Sequence, residues 1–327
     1  MTRRTFTSAL AAAGLPGSNA KLGIASTCFM TASYPKDTIA FLDRAHALGA
    51  AGIQMQLTSL DAGYIKRLRD SAERYGMYLE TMAELPKQDA SSFERALEGA
   101  RDAGASVVRV GCLSGRRYEN FSTYDEWKRW VEQARDSVFR ASTAAERRKV
   151  PIAIENHKDW TAAELAALVK QISSEYVGVC LDTGNNISLL EDPYEVVETL
   201  APYTMATHLK DMGVALDDEG FLLSEVVLGD GMLDVRRVVR TIRSARPRTN
   251  LTLEMITRNP LRVPCLTTKY WATFPDRSGY VLARTLTMVR RNAGKVLPRV
   301  DGLSREAVAQ LEEENVRKCL AHPALEA

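Results

Sequence analysis

Pro151-Ile-Ala-Ile-Glu155, Val177-Gly-Val-Cys-Leu-Asp182, Met205-Ala-Thr-His208 and Leu251-Thr-Leu-Glu254 decide the fold of this chain. Each run reads as a short strand and ends in a side chain able to bind a hard or borderline divalent cation. The four ends stand 27, 26 and 46 positions apart. That leaves room each time for a strand, a helix and loops, the spacing of consecutive βα units. Counting back in twos from the ends meets only small residues: Ala153, then Cys180 and Gly178, then Ala206, then Thr252. The other parity carries Ile152, Ile154, Val177, Val179, Leu181, Met205, Leu251 and Leu253, a bulky set expected against a layer of helices. Glu155, Asp182, His208 and Glu254 are therefore predicted to point into a parallel barrel at the carboxyl ends of successive strands, where TIM-barrel active sites lie. One such carboxylate alone reads as a solvated or capping group, and a lone histidine as structural. Four with matched parity and strand position read as a metal site.

Four more strands are expected upstream: LGIAST from Leu22, GIQMQL from Gly52, MYLETM from Met77 and SVVRVGC from Ser106. Helix-length segments with apolar residues at helical spacing follow them from near Pro35, Asp61, Ala90 and Thr123. The total is eight units, an α/β (β/α)8 TIM barrel over residues 21–295, between an N-terminal segment 1–20 and a C-terminal helical extension 296–327. Gly229-Asp230-Gly231 reads as a turn feeding a helix from Met232, the last barrel helix as Gly279 to Asn292, and Ser304 to Leu320 as a charged helical appendage.

Glu155-Asn156-His157, Leu181-Asp182-Thr183-Gly184-Asn185, His208-Leu209-Lys210-Asp211, Leu228-Gly229-Asp230-Gly231 and the strand-final Glu254 together resemble the xylose isomerase-like TIM barrels, the sugar phosphate isomerase/epimerase family. The resemblance runs from about Lys21 to Asn292. It implies one divalent ion held by Glu155, Asp182, His208 and Glu254, Mn²⁺ foremost, with Co²⁺, Mg²⁺ or Zn²⁺ as alternatives. It also implies that Glu155 and Glu254 flank the substrate and exchange its proton.

Such an ion acts as a Lewis acid on a carbonyl and stabilises the enediolate left when the adjacent C–H is deprotonated. The resulting expectation is a metal-dependent sugar isomerase or epimerase. The alternative is a lyase or hydratase on 3-keto-glycosides, in which the same first step is followed by loss of the C1 substituent. A non-catalytic sugar-binding barrel is a third class. His157, two positions past a ligand on its parity, is the candidate acid or base that would protonate a leaving group, with capping of the next helix assigned to Asp159 and Thr161. Lys210, on the parity of His208, would neutralise an oxyanion; a surface pair with Asp211 is its alternative.

Candidates for substrate contact are Gln54 and Glu80, with Gln56 and Glu84 on the same parities, and Arg109, whose loop continues Ser114-Gly115-Arg116-Arg117-Tyr118 as a cluster for a phosphate or carboxylate. Asn185, Arg258 and Trp271 complete the set. The last two lie in a long eighth loop, Thr257 to Arg277, with Leu266, Tyr270 and Phe274 as further anchors, read as a lid whose rings would meet a sugar face.

The 43 basic and 41 acidic residues leave a net charge of +2, which offers no general attraction to nucleic acid or anionic lipid. The expected partner is a small sugar or keto-glycoside, with no nucleic acid and no membrane span; assembly into a homo-oligomer is left open. Five scattered cysteines argue against a disulfide framework. Thr2-Arg3-Arg4-Thr5-Phe6-Thr7, a small apolar run from Ala9 to Leu15 and Ser18-Asn19-Ala20 read as a twin-arginine-like export signal, hence a periplasmic protein. A floppy basic tail on a cytoplasmic protein is the alternative.

Overall fold

The eight expected runs pair in the order in which they occur along the chain. This is seen in a computed structural model that describes residues 22–294 and 296–323; the signal-like segment 1–20 lies outside the described residues. The strands are β1 (Gly23–Ala25), β2 (Gly52–Gln54), β3 (Tyr78–Glu84), β4 (Val108–Gly111), β5 (Ile152–Glu155), β6 (Val177–Asp182), β7 (Thr204–His208), β8 (Asp211–Asp217), β9 (Gly220–Val226), β10 (Thr252–Leu253) and β11 (Leu261–Val263). β1 to β7 form a parallel sheet with β10 on the free side of β1. Backbone bonds from Leu209 N to Thr252 O (2.8 Å) and from Glu254 N to Leu209 O (3.1 Å) then bring β7 against β10 and nearly close the barrel.

The helices are α1 (Thr38–Ala47), α2 (Ala62–Tyr75), α3 (Ser91–Ala103), α4 (Arg117–Asn120), α5 (Tyr124–Arg148), α6 (Ala162–Ile172), α7 (Pro193–Leu200), α8 (Val235–Ala245), α9 (Thr268–Trp271), α10 (Gly279–Asn292) and α11 (Arg305–Leu320). Local chemistry sets several starts. Asp37 and Asp61 cap α1 and α2, and Thr123 with Glu126 and Thr161 with Glu164 form capping boxes on α5 and α6. α8 begins three residues after the expected Met232. The Asp211 carboxylate accepts from the backbone N–H groups of Gly229, Gly231 and Leu233 (2.9, 2.9 and 3.0 Å), which holds this stretch in a turn until Asp234 caps the helix.

Strand parity sorts the core into layers. Ile152, Ile154, Val177, Val179, Leu181, Leu251 and Leu253 pack with the helices, whereas Ala153, Cys180 and Ala206 meet inside the barrel. Met205 departs from the expectation. The β6–β7 register shifts beside it, and its side chain lies where a Cβ on Gly178 would be (2.6 Å from Met205 Cγ), so it packs against the interior cluster. Tyr78 similarly lies where Cβ atoms on Gly23 and Gly52 would be, and its hydroxyl donates to Leu251 O at 2.9 Å.

Two segments differ from the sequence reading. β8 and β9 form an antiparallel hairpin, and β11 from the eighth loop joins it as a third strand. The eighth loop is thus built structure: Tyr270 and Phe274 are buried in a second apolar cluster with Val214, Phe221, Leu223 and Val263. α11 is likewise docked against the barrel, burying Val308, Glu312, Asn315, Val316 and Cys319. All five cysteines are unpaired, and among the described residues no helix is long and apolar enough to cross a membrane.

Candidate metal centre

Glu155, Asp182, His208 and Glu254 converge at the carboxyl ends of β5, β6, β7 and β10. All four are buried, and one ligand atom from each lies within 4.8 Å of the others. His208 Nδ1 is 3.2 Å from Glu155 Oε1, 3.4 Å from Glu254 Oε2 and 3.8 Å from Asp182 Oδ2.

Hydrogen bonds around the cluster test whether a cation belongs there. Gln54 Nε2 donates to Glu80 Oε2 (2.9 Å), which turns the amide oxygen toward His208 Nε2 at 2.6 Å. An amide oxygen only accepts, so Nε2 carries a proton and Nδ1 is the nitrogen that faces three carboxylates; burial opposes charge on the ring, but Cys180 and Glu254 outweigh it and raise its basicity. The three carboxylates call for positive charge at Nδ1, a proton in the free protein or a metal cation in its place, and a second hydrogen bond that orients a ligating histidine is a common metal-site device. Asp182 agrees. Its Oδ1 accepts from the backbone of Gly184 and Asn185 (2.9 and 2.8 Å), while Oδ2 is buried with no hydrogen bond, though Lys210 Nζ is 2.9 Å away outside hydrogen-bond geometry. The donor set fits a divalent ion.

The two glutamates are set up alike. Glu155 keeps one oxygen at the cluster and gives the other to Arg109 from β4. Glu254 keeps Oε2 at the cluster and accepts from Thr27 at Oε1 (2.7 Å). Lys210 Nζ reaches Glu254 Oε2 at 2.6 Å and Asn185 Oδ1 at 3.3 Å, so the surface pair with Asp211 does not form. Those carboxylates outweigh burial and hold its ammonium above its usual basicity. Asn185 also approaches Glu155 Oε1 at 3.3 Å. His157 is half-buried, its Nδ1 lacks a partner, and burial together with Lys158, Arg109 and Lys210 holds it well below the usual histidine range.

Other expected substrate contacts are used differently. Gln54 and Glu80 stand behind His208 and orient it; Gln56 and Glu84 are exposed. Trp271 donates its indole N–H to Cys265 O (2.8 Å) and packs edge-on to Tyr270, an anchor of the eighth loop. The basic loop after β4 is not a free cluster. Arg117 is buried between the rings of Trp127 and Phe274, paired with Glu164 (3.0 Å) and donating to Thr273 O. Arg258 pairs bidentately with Glu225 of β9 at 2.7 and 3.2 Å.

Three contributors were not singled out from sequence. Asn156 pairs its side-chain amide with both backbone groups of Asp182 (2.8 Å each), which fixes the end of β6. Its place beside Glu155 is the one signal that pointed to it. Glu225 is buried on a hairpin the sequence reading lacked, and Lys158 is buried with its Nζ on Asn185 Oδ1. Burial and Lys210 pull the Lys158 ammonium down to about 7.

Burial pushes the Glu80 carboxyl up to about 7, despite donors from Gln54, Asn250 and Thr252. Between its ordinary value near 4.5 and about 7 the folded state therefore holds a proton that the unfolded state lacks, and stability falls as pH rises through that window. Glu80→Gln is expected to remove that slope. Thermal unfolding of both proteins between pH 5 and 8 checks this: the variant's gain over the parent grows with pH, and parallel curves refute the assignment.

A family profile described as xylose isomerase-like TIM barrel matches residues 42–272. A curated relative, 3-oxo-isoapionate decarboxylase of Pectobacterium atrosepticum, is 34% identical over 100 residues, 30% of this chain and 36% of that protein. The uncharacterized protein YihM of Escherichia coli is 26% identical over 184 residues, 55% of this chain and 52% of that one. The match thus spans about a third and about half of these relatives. Among solved structures, D-psicose 3-epimerase in the presence of D-fructose superposes with a TM-score of 0.58 at 16% identity, covering 84% of this chain and all of the other, a likeness of fold. The barrel, its strand-end cluster and the match over residues 42–272 agree, and the chain belongs to the xylose isomerase-like TIM barrel family.

Proposed function

We propose that this chain is a divalent-metal-dependent sugar isomerase or epimerase that moves a proton at the carbon next to a sugar carbonyl. One observation carries the reading: Glu155 and Glu254, from β5 and from the end of β10, approach one cluster, each with one oxygen at the cluster and the other tied to Arg109 or Thr27. A bound divalent ion would polarise the carbonyl and stabilise the enediolate. One glutamate takes the proton, the C–H electron pair passes into the new C=C bond, and the carbonyl oxygen gains the charge. The opposite glutamate returns a proton to the other face or to the neighbouring carbon. Lys210, beside Glu254 and Asp182, supplies positive charge next to that oxygen. The metal-loaded protein, incubated in D₂O with a panel of ketoses and aldoses, is expected to place deuterium next to the carbonyl. No incorporation with any of these sugars, despite bound metal, refutes the isomerase reading.

The lyase alternative on 3-keto-glycosides needs an acid for the leaving oxygen. His157 is held well below its usual range and so enters the reaction neutral, which favours the isomerase reading. His157→Ala with its metal intact is expected to lose less than about tenfold in proton exchange, against the roughly 10² to 10⁴ that removal of a positioned general acid costs. A second reading is favoured by similarity to the decarboxylase: loss of CO₂ from a β-keto acid leaves the same enediolate, and a glutamate then only returns a proton. Bicarbonate release with one deuterium at the carbon that carried the carboxylate, and no exchange into neutral ketoses or aldoses, would select it. We also propose export through Arg3 and Arg4. If the full chain and an Arg3→Lys, Arg4→Lys variant both stay cytoplasmic in a host with a working twin-arginine pathway, the protein is intracellular.

A further inference from the structure

Lys158 is a buried ammonium, 3% exposed, whose one hydrogen-bond acceptor among the described residues is the side-chain oxygen of Asn185. It forms no ion pair with a carboxylate among the described residues, and the same amide oxygen also receives Lys210 Nζ at 3.3 Å. Two buried ammonium groups on one oxygen repel each other, and a buried charge without a counter-ion weakens a fold. Something other than stability accounts for Lys158.

The pairing of charges around the centre says what that is. Arg109, Lys210 and Arg258 each pair with a carboxylate of the centre, whereas Lys158 pairs with none, and burial with the neighbouring Lys210 holds it to about 7. An anion seated against Lys158 Nζ would be the counter-ion that the fold itself does not supply. Glu225 is not that counter-ion, because Arg258 holds it bidentately and Lys210 lies 3.7 Å away.

We infer that this site takes a sugar bearing a carboxylate, and that Lys158, with Arg258 behind Glu225, is the residue that selects it. The inference rests on the proposed keto-sugar chemistry of the same site. One lysine without a counter-ion matches a monoanion, and Lys158 has two N–H groups not engaged by Asn185 for its oxygens. A phosphate dianion would call for a second cation without a partner.

The test uses the full chain loaded with Mn²⁺ and three probes that differ at one carbon: D-fructose, D-fructuronate with a carboxylate at that position, and D-fructose 6-phosphate. Binding is read by calorimetry, which does not depend on turnover. D-fructuronate is expected to bind more tightly than D-fructose, and Lys158→Met is expected to remove about 10- to 100-fold of that preference, read as the ratio of the two affinities. Lys158→Met is also expected to melt higher than the parent, since it replaces an unpaired buried charge by an apolar chain of similar length. Lys158→Gln, which keeps a polar head, provides the same comparison should the methionine variant not fold. Equal affinity for D-fructuronate and D-fructose, a preference that survives both substitutions, or a Lys158-dependent preference for the phosphate alone each overturns the inference. A lower melting temperature in both variants shows Lys158 to be a structural residue and overturns it too. Deuterium exchange keeps the two ideas apart. Exchange on neutral sugars with no Lys158-dependent preference sinks the carboxylate subsite and leaves the isomerase reading standing; Lys158-dependent binding with no exchange does the reverse.

Discussion

Glu254→Gln is expected to lower proton exchange next to the sugar carbonyl by about 10³-fold, within the range typical of losing a positioned general base. Burial opposes the charge on Glu254, but His208 and Lys210 outweigh it and hold its carboxyl well below the usual range, so the group is ionised at neutral pH. Glutamine keeps the length and a carbonyl oxygen that can accept from Thr27, but its amide has no useful basicity. Elemental analysis decides what the loss means. Metal retained with exchange lost identifies Glu254 as the proton carrier, and metal lost with exchange identifies a ligand whose base role is unproved. Exchange within tenfold of the parent removes Glu254 from the proton path. Asp182→Ala with His208→Ala provides the reference: stripping two of four ligands is expected to abolish metal retention, and full retention would place the ion elsewhere.

Glu312→Ala is expected to destabilise the protein by about 1–3 kcal/mol, the cost of one buried donor, Ala32 N–H, left without a partner. From α11, Glu312 reaches the loop after β1 and accepts from the backbone of Thr31, Ala32 and Ser33 (2.8, 2.9 and 3.0 Å) and from Ser33 Oγ (2.7 Å). The carboxylate is fully buried. Asn315 of the same helix donates to Thr257 at 2.9 Å, tying down the start of the eighth loop. The helix that reads as an appendage thus braces the segments on either side of Glu254, including the loop that carries Thr27. Denaturant unfolding measures the loss, and Glu312→Gln, which keeps one accepting oxygen, should fall between. A loss below about 1 kcal/mol would mean that this loop keeps its shape without α11.

Part of the barrel was legible because strand parity is a local property. From Glu155 back to Ala153, or from Asp182 back to Gly178, the period of two is enough to say which side chains enter the interior, and burial bears it out. The exception, Met205, sits where the β6–β7 register shifts, and a register shift belongs to two strands at once. The hairpin of β8 and β9 was missed for a related reason. Its strands mix exposed and buried positions, and its third strand comes from β11, some 35 residues further on, so no single window carries the pattern.

For the candidate site the division is similar. The sequence by itself determined that Glu155, Asp182, His208 and Glu254 share a parity at strand ends, and hence that they could meet, because side-chain direction alternates with every residue of a strand. The tertiary structure alone decided the rest. Gln54 and Glu80 line up behind His208 because β2 and β3 pair with Gln54 opposite Glu80, and the near-closure of the barrel brings β7 within reach of β2. Lys158, Lys210, Glu225 and Arg258 come from four different segments. Whether a buried charge is balanced depends on distances between those segments, a quantity that no local run of residues encodes.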